Sequence, residues 1–384
     1  MYRGGMSALN NPLELAALAT AVVPGLRVAG LRPPQFRDDV VSVTGMIDTD
    51  GNRWTVVAPH DQVGGLDMEI QSAVLSRLSH AHENGALSFA VPKPAGFIRT
   101  KQGLRAMVYP ETGGDFATAE DFMTHSIFAA SLATALATLH NLPPTVFTEL
   151  DLASYSATEC RERHLAILEE ARQHTVVPSN LWDRWKNALD TPLLWRFAPT
   201  PVHGDMQLTS VQLNHGCVQL ISGFSSAHVG DPAQDVAWIR ALAPDQFLRH
   251  FYQAYAHQRS ATDLHLMTRA QLLSELAVVR WLVHGVHVAD YEIIHNAQAM
   301  LIQISQELGH QQLVETLDEQ EGEDTQSISP EENGDPNRRL DHHPTQTEES
   351  DPFASPEALK ETEREELTGA LNSCDMPTEC LPAQ

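Results

Sequence analysis

Hydrophobic and polar positions follow two different periodicities in the first third of the chain. Apolar side chains recur at helical spacing between residues 12 and 22. Residues 40–58 instead carry β-branched side chains on both sides of the turn sequence DTDGN at 48–52, which predicts a β-hairpin. Helical spacing returns over residues 66–80, and Gly103 separates two further short strands.

The rest of the chain, up to about residue 313, is mainly helical in its pattern. We predict helices over residues 126–140, 157–173 and 179–190, and a strand, loop and hairpin between 199 and 222. Nearly continuous helix follows from residue 232. A β-rich section followed by a helical one predicts an α+β fold with a small β-rich N-lobe and a larger helical C-lobe. The predicted divisions are an N-terminal extension (1–24), the N-lobe (25–110), the C-lobe (111–316) and a tail (317–384).

The periodicity ends where the tail begins. Residues 317–384 contain 19 acidic and four basic residues, and Phe353 is their only aromatic side chain. Such a segment buries too little apolar surface to offset its ordering entropy, so we predict a disordered acidic tail with one marginal helix over 355–371. A solvated extension is its commonest role. The alternatives are an interaction arm for a protein partner, or an anion mimic that folds over a site.

Composition and charge narrow the function further. The net charge is −25, and neither the tail nor the body offers the basic face that nucleic-acid binding requires. We find no run of 18 apolar residues, no signal peptide and no metal-type spacing among the four cysteines. We therefore expect a cytoplasmic protein with no nucleic-acid or membrane partner. Either Met1 or Met6 could begin the chain.

Two short motifs carry the candidate chemistry. His203-Gly204-Asp205 lies where a strand meets a loop, and GDPAQDVA follows at 230–237. The second motif by itself indicates a well-capped helix, because Asp231 suits the N-cap, a proline follows it, and Gln234 occupies the capping-box position. A lone His-Gly-Asp recurs by chance. The two motifs together are more specific than either one.

The stretch HGDMQLTSVQLNHGCVQLISGFSSAHVGDPAQD at 203–235 resembles the aminoglycoside/macrolide phosphotransferase family. The resemblance covers about residues 25–310, and FSSAHVGDPAQD at 224–235 is most like the macrolide members. It implies a protein-kinase-like two-lobed fold. It also implies phosphoryl transfer from ATP, with Mg²⁺, to a hydroxyl group of a small-molecule substrate.

The resemblance also implies a role for individual residues. Asp205 matches the carboxylate that accepts the hydroxyl proton, and His203 braces its loop. On the nucleotide side, Glu69 would partner the nucleotide-binding Lys, and Tyr109 and Glu111 would border the adenine. Ser210 and Gly223 occupy the two metal-ligand positions. The residues that would contact the acceptor substrate are Asp231, Trp281, His284 and Asp290.

Several positions depart from the family pattern. Gly223 stands where a metal-binding Asp is expected, and Ser210 where an Asn is expected. The Lys should fall near Val57, but residues 54–58 contain none, and residues 35–39 lack the glycines of a phosphate-covering turn. Ser222, Asp231 or Asp235 would be the substitute metal ligands. Mg²⁺ bound to a protein needs one or two carboxylates. Loss of the metal-binding Asp and of the Lys would therefore lower the rate of phosphoryl transfer by orders of magnitude.

Two hypotheses follow from these residues. The first is an ATP-dependent phosphotransferase with Asp205 as base and an unusual metal site. The second is a catalytically dead pseudo-phosphotransferase that binds a ligand or a protein. The spacing of His284, His287 and Asp290 also suits a metal, but a helix that lines the substrate cleft or the core explains it more simply, so we assign no metal site.

Overall fold

The computed structural model describes residues 11–33, 41–111, 114–124 and 126–314 of the chain. The expectations for the start of the chain, for residues 35–39 and for the tail with its helix at 355–371 lie outside these ranges. The lobe boundaries given above stay predictions.

The first part of the chain forms one helix, a five-stranded antiparallel sheet and a second helix. The sheet has the strand order β1-β2-β3-β5-β4, and the predicted helices and both hairpins are present. The second helix begins four residues earlier than predicted because the side chain of Asp61 caps it, accepting from Gly64 N–H at 2.9 Å. The elements are α1 (Pro12–Val22), β1 (Val28–Arg32), β2 (Val41–Asp48), β3 (Arg53–Pro59), α2 (Gln62–Glu83), β4 (Gly96–Arg99) and β5 (Arg105–Pro110).

Strand alternation gives this sheet two apolar faces. Val56 and Val108 point to the face that packs with Ala19 of α1. Val57 points to the other face, where Met68 of α2 packs against it. The sheet is therefore covered by a different helix on each side.

The second part of the chain is mostly helical, as predicted. Its core pairs α4 with α9 and surrounds α10 with α6, α8 and α11. Two small sheets, β6-β8-β9 and β10-β7, lie beside the helices. The elements are β6 (Asp115–Phe116), α3 (Asp121–Thr124), α4 (Ser126–His140), α5 (Thr145–Thr148), α6 (Ala157–His174), α7 (Ser179–Asp190), β7 (Thr200–Val202), β8 (Val211–Asn214), β9 (Cys217–Ile221), β10 (His228–Gly230), α8 (Ala237–Leu242), α9 (Asp245–Gln258), α10 (Leu266–His287) and α11 (Tyr291–Leu308).

These elements confirm the α+β class. Within the described ranges, none of the helices combines the length and the apolar character needed to cross a membrane.

Candidate functional site

The loop that joins β7 to β8 begins with the motif His203-Gly204-Asp205. Gly204 has a φ of +88°, and a Cβ added to it would lie 2.2 Å from the carbonyl oxygen of Ser226. Only glycine fits here, because a side chain would meet both a left-handed backbone and another chain segment. The close approach of residue 226 therefore fixes the path of the loop.

The side chain of Asp235 holds this loop in place through hydrogen bonds to its backbone. It is fully buried, and its carboxylate accepts from the backbone N–H groups of His203 (2.7 Å) and Gly204 (2.9 Å). His140 Nε2 donates to the same carboxylate at 3.1 Å. Burial opposes ionisation of Asp235, but these donors outweigh it and lower the pKa of the carboxyl group. The Asp235 carboxylate therefore stays ionised and anchors the loop.

The capping box predicted at residues 231–234 does not form. The segment after Asp231 is a short 3₁₀ turn, Pro232–Asp235, rather than the start of an α-helix. Gln234 Nε2 donates instead to the carbonyl oxygen of Gly204 at 2.7 Å. The second motif thus uses two side chains to brace the first one, which explains why the two motifs occur together.

His203 occupies a buried position that suits a brace. Its Nε2–H donates to the carbonyl of Ser222 at 2.8 Å, and its Nδ1 accepts from Asp205 N–H at 3.3 Å. The ring packs on Phe224 with 4.6 Å between centroids. Burial lowers the pKa of His203, which agrees with a neutral ring that has one donor and one acceptor nitrogen.

Asp205 is the exposed member of the motif. Within the described residues, no hydrogen bond or ion pair engages its carboxylate. The charge of Asp205 acts on Arg280 of α10, although burial lowers the pKa of that guanidinium overall. Arg280 Nη2 donates to Leu273 O at 3.1 Å. The sequence contains no motif that would have identified Arg280.

The two predicted metal-ligand positions lie side by side. Ser210 is buried, and its carbonyl accepts from Ser222 N–H at 2.9 Å. Gly223 has a φ of +89°, and a Cβ built on it would lie 3.6 Å from Ser210 Oγ and from His203 Nε2. These positions offer one neutral hydroxyl and no carboxylate. No group of three metal-ligating side chains occurs among the residues that the structure describes.

An apolar cluster surrounds the position expected for the Lys. Val57, Met68 and Met107 are at least 94% buried and pack together, with Val41 and Tyr109 beside them. The pKa of the Tyr109 hydroxyl is raised by its burial. None of the side chains in this cluster is charged.

Glu69, the predicted partner of the Lys, does not join this cluster. One residue step turns about 100° around a helix, so Met68 contacts Val57 while Glu69 points elsewhere. Glu69 is exposed and lines a surface cavity with Phe97 and Arg105. Met68, and not Glu69, is therefore the α2 residue that faces Val57, and the position predicted for a charge pair is apolar on both sides.

Glu111, at the connection between the two parts of the chain, forms hydrogen bonds and an ion pair with residues of the sheet. The N–H of Glu111 donates to Arg53 O at 2.9 Å, which extends the pairing of β3 with β5. The nearly buried carboxylate of Glu111 forms an ion pair with Arg32 and accepts from the Thr55 hydroxyl. Tyr109 itself is paired with Thr55 in the sheet. The Glu111 amide is therefore not free to bind an adenine.

Asp231 has a structural role in place of the predicted contact with substrate. Its side chain is 2% exposed, and both oxygens accept from Arg269, at 2.8 and 2.9 Å. Asp263 pairs with the same guanidinium at 2.6 Å. Burial opposes the charge of Arg269, but the two carboxylates outweigh it and raise its pKa. Because Arg269 lies 38 residues away, nothing local to Asp231 predicts this pair.

The other predicted acceptor residues are exposed near the end of α10. Trp281 and His284 are exposed and lie three residues apart on α10, and His284 lies one turn after Arg280. Asp290 caps α11 by accepting from Glu292 N–H and from Ile293 N–H. His287 Nε2 lies 2.7 Å from Glu170 Oε1, so this side chain links α10 to α6. Trp281 and His284 remain candidates for the acceptor pocket.

A comparison of the sequence with models of protein families identifies the family. The family model described as "Phosphotransferase enzyme family" matches residues 46–273, more than half of the chain. This chain belongs to the phosphotransferase enzyme family. No curated protein sequence matches it.

Solved structures of family members share the fold. The macrolide 2′-phosphotransferase of Brachybacterium faecium, solved as the apoenzyme, is 20% identical with a TM-score of 0.65, over 76% of this chain and 98% of the other. A type I macrolide 2′-phosphotransferase is 22% identical (TM-score 0.62; 75% and 96% covered). An aminoglycoside phosphotransferase bound to GDP and kanamycin is 15% identical (TM-score 0.63; 77% and 99% covered). These similarities confirm the predicted kinase-like fold.

The family resemblance implies a nucleoside triphosphate with Mg²⁺, and the residues here do not fit that group. The cluster of Val57, Met68 and Met107 is apolar where a cation is needed. Ser210 and Gly223 provide no carboxylate for Mg²⁺.

Proposed function

We propose that this chain is a pseudo-phosphotransferase that binds a small hydroxyl-bearing molecule beside Asp205 and does not transfer phosphate to it. The cluster of Val57, Met68 and Met107 carries this proposal. A triphosphate placed against an apolar, buried surface loses hydration and gains no opposite charge, which is strongly unfavourable. The nucleotide side of the family site is thereby altered.

The acceptor side keeps features of a binding site. Asp205 is exposed near the start of a loop that several buried contacts hold in place. The charge of Asp205 acts on Arg280 of α10, and Trp281 and His284 of the same helix are exposed. An exposed aromatic side chain and a fixed carboxylate suit a small polar ligand. A hydroxyl group would donate to the Asp205 carboxylate.

A second candidate function is phosphotransfer itself, and one observation favours it. The loop that presents Asp205 is fully braced by Asp235, His203 and Gln234. In that case the Asp205 carboxylate would accept the proton of the substrate hydroxyl while the hydroxyl oxygen bonds to the γ-phosphorus of a nucleoside triphosphate. The bond from that phosphorus to the nucleoside diphosphate would break in the same step, and the diphosphate would leave.

Calorimetric titration of the full chain separates the two functions. We expect no binding of ATP at millimolar concentration, with or without Mg²⁺. In parallel, titration with a panel that includes kanamycin and a macrolide is expected to find ligands whose affinity falls in Asp205→Asn. Micromolar, Mg²⁺-dependent ATP binding, together with phosphate transfer that Asp205→Asn abolishes, would contradict the pseudo-phosphotransferase proposal. Ligand affinities that are equal in the native chain and in Asp205→Asn would remove Asp205 from the binding site.

A further inference from the structure

A surface cavity of about 610 Å³ lies between α2 and the β4–β5 hairpin, outside the site described above. Leu66 of α2, Phe97 of β4 and Leu104 form apolar parts of its lining. Glu69, Arg99 and Arg105 supply its charges. The cavity therefore combines apolar contact with an excess of positive charge.

The two arginines of this cavity are placed unfavourably for the isolated hairpin. Arg99 and Arg105 are direct cross-strand partners in the β4–β5 register. Like charges directly opposite each other destabilise a strand pair. Arg105 stacks on the Phe97 ring at 3.7 Å, and within the described residues neither arginine forms an ion pair with a carboxylate. An anionic ligand at this position would remove the repulsion.

Apolar side chains around the cavity are unusually exposed. Leu66 is 59% exposed and Phe97 is 38% exposed. Val63, one turn before Leu66 on α2, is 69% exposed. Exposed apolar groups that gather next to charged ones are typical of an interaction surface.

The chain itself contains a segment of matching chemistry. Residues 348–353 read EESDPF, with three carboxylates followed by Phe353, the only aromatic side chain of residues 317–384. The 33 residues between Val314 and this segment can span roughly 100 Å. That reach exceeds the diameter of a domain of this size, so the segment can contact any part of its surface.

We propose that residues 348–353 of this chain dock in the cavity between α2 and the β4–β5 hairpin. Phe353 packs against Leu66 and Leu104, and the carboxylates of the segment pair with Arg99 and Arg105. Because the segment is tethered to the same molecule, a weak contact suffices for high occupancy. Docking also holds α2, whose Met68 packs on Val57 at the sheet face.

Hydrogen–deuterium exchange of the full chain tests this proposal. We expect Phe353→Ala to speed amide exchange in residues 62–70 and 96–105 roughly tenfold, the protection given by a contact that is about 90% formed. The triple variant E363K/E365K/E366K is the matched control. It changes three acidic residues elsewhere in the tail and is expected to leave exchange in these peptides unchanged.

A charge-reversal rescue identifies the paired groups. R99E/R105E is expected to speed exchange in α2 as Phe353→Ala does. Adding E348K/E349K/D351K to that variant is expected to restore the native exchange, because the charges are again opposite. The exchange of α4 reports whether the C-lobe core is intact in each variant.

Three results would overturn the proposal. Native exchange in Phe353→Ala would show that the segment does not occupy the cavity. Equal effects of the control triple variant would reduce the contact to nonspecific charge. Protection that grows with protein concentration would assign the cavity to the tail of a second copy instead of the same chain.

Discussion

At the residue scale, two glycines of the site have the same backbone conformation for different reasons. Gly204 and Gly223 have φ values of +88° and +89°. A Cβ on Gly204 would meet the Ser226 carbonyl oxygen at 2.2 Å, whereas the nearest atoms to a Cβ on Gly223 lie 3.6 Å away. Gly204 is thus required by packing as well as by φ, while Gly223 leaves room for a side chain.

This difference predicts unequal effects of the same substitution. Gly223→Ala is expected to cost about 1 kcal/mol of unfolding free energy, the usual penalty for a left-handed non-glycine residue. Gly204→Ala carries that penalty and about 1–3 kcal/mol more, because the loop must move to relieve the overlap. Urea unfolding of the two variants measures both costs. Equal losses would contradict the argument from the Ser226 contact.

At the element scale, buried ion pairs join α10 to the rest of the C-lobe. Arg269 in its first turn binds Asp231 beside β10, and Glu275 in its third turn binds Arg184 of α7 at 2.8–2.9 Å. Trp185 Nε1 donates to the same Glu275 carboxylate at 2.7 Å. These contacts fix the helix that carries Arg280, whose guanidinium interacts with the charge of Asp205.

Removing one partner of such a pair is therefore expected to be costly. We expect Arg269→Met to lose about 3–5 kcal/mol, because Asp231 is left as a buried charge without compensation. Urea unfolding measures the loss.

A surface pair and a double-mutant cycle provide the controls for this prediction. Arg240→Ala, which removes the more exposed pair with Asp245 at 3.6 Å, is expected to change stability by less than about 1 kcal/mol. The double variant R269M/D231N should lose less than the sum of its single variants, because the unpaired charge is gone. Strict additivity would show that the two groups do not depend on each other.

At the scale of the whole molecule, buried neutral histidines connect the stability of the fold to pH. His140 and His203 are 2% and 0% exposed, and both residues form a hydrogen bond to the Asp235 carboxylate. Burial lowers the pKa of each ring below the ordinary histidine value of about 6.5, and the attraction of Asp235 does not reverse this. Both rings therefore resist protonation as long as the protein is folded.

Stability is consequently expected to fall as the solution becomes acidic. Below pH 6.5 the unfolded chain binds these two protons first, so the stabilisation by the neutral rings is complete above that pH and is lost as pH falls. Each histidine then lowers the unfolding free energy by about 1.4 kcal/mol for each pH unit of acidification, until the pKa of that histidine in the folded protein is reached. Urea unfolding of the full chain at pH 7.5, 6.5 and 5.5 gives the slope.

Variants separate this effect from the change in net charge. The chain carries a formal charge of −25, so acid also relieves repulsion and stabilises every variant alike. His203→Gln should reduce the slope of the unfolding free energy against pH by the contribution of one proton. If His203→Gln had the native slope, His203 would not be the group that titrates.

Much of this architecture could be predicted from the sequence because it depends on local rules. The helix at 126–140 was predicted with its observed bounds, since an apolar face repeats within the segment itself. The hairpin at β2 and β3 follows from its turn, where Asp48 accepts from Asp50 N–H and Asn52 N–H. The paired motifs indicated the family and the exposed Asp205.

Only the tertiary structure decided which of the predicted site residues are free to act. Glu69 and Met68 are neighbours in sequence, and the rotation of α2 decides which of them contacts Val57. Asp231 and Glu111 carry charges that suit a ligand, but Arg269 and Arg32 neutralise them from distant segments. Periodicity, turns and motifs are properties of neighbouring residues, whereas charge pairing and burial depend on segments that meet only when the chain folds.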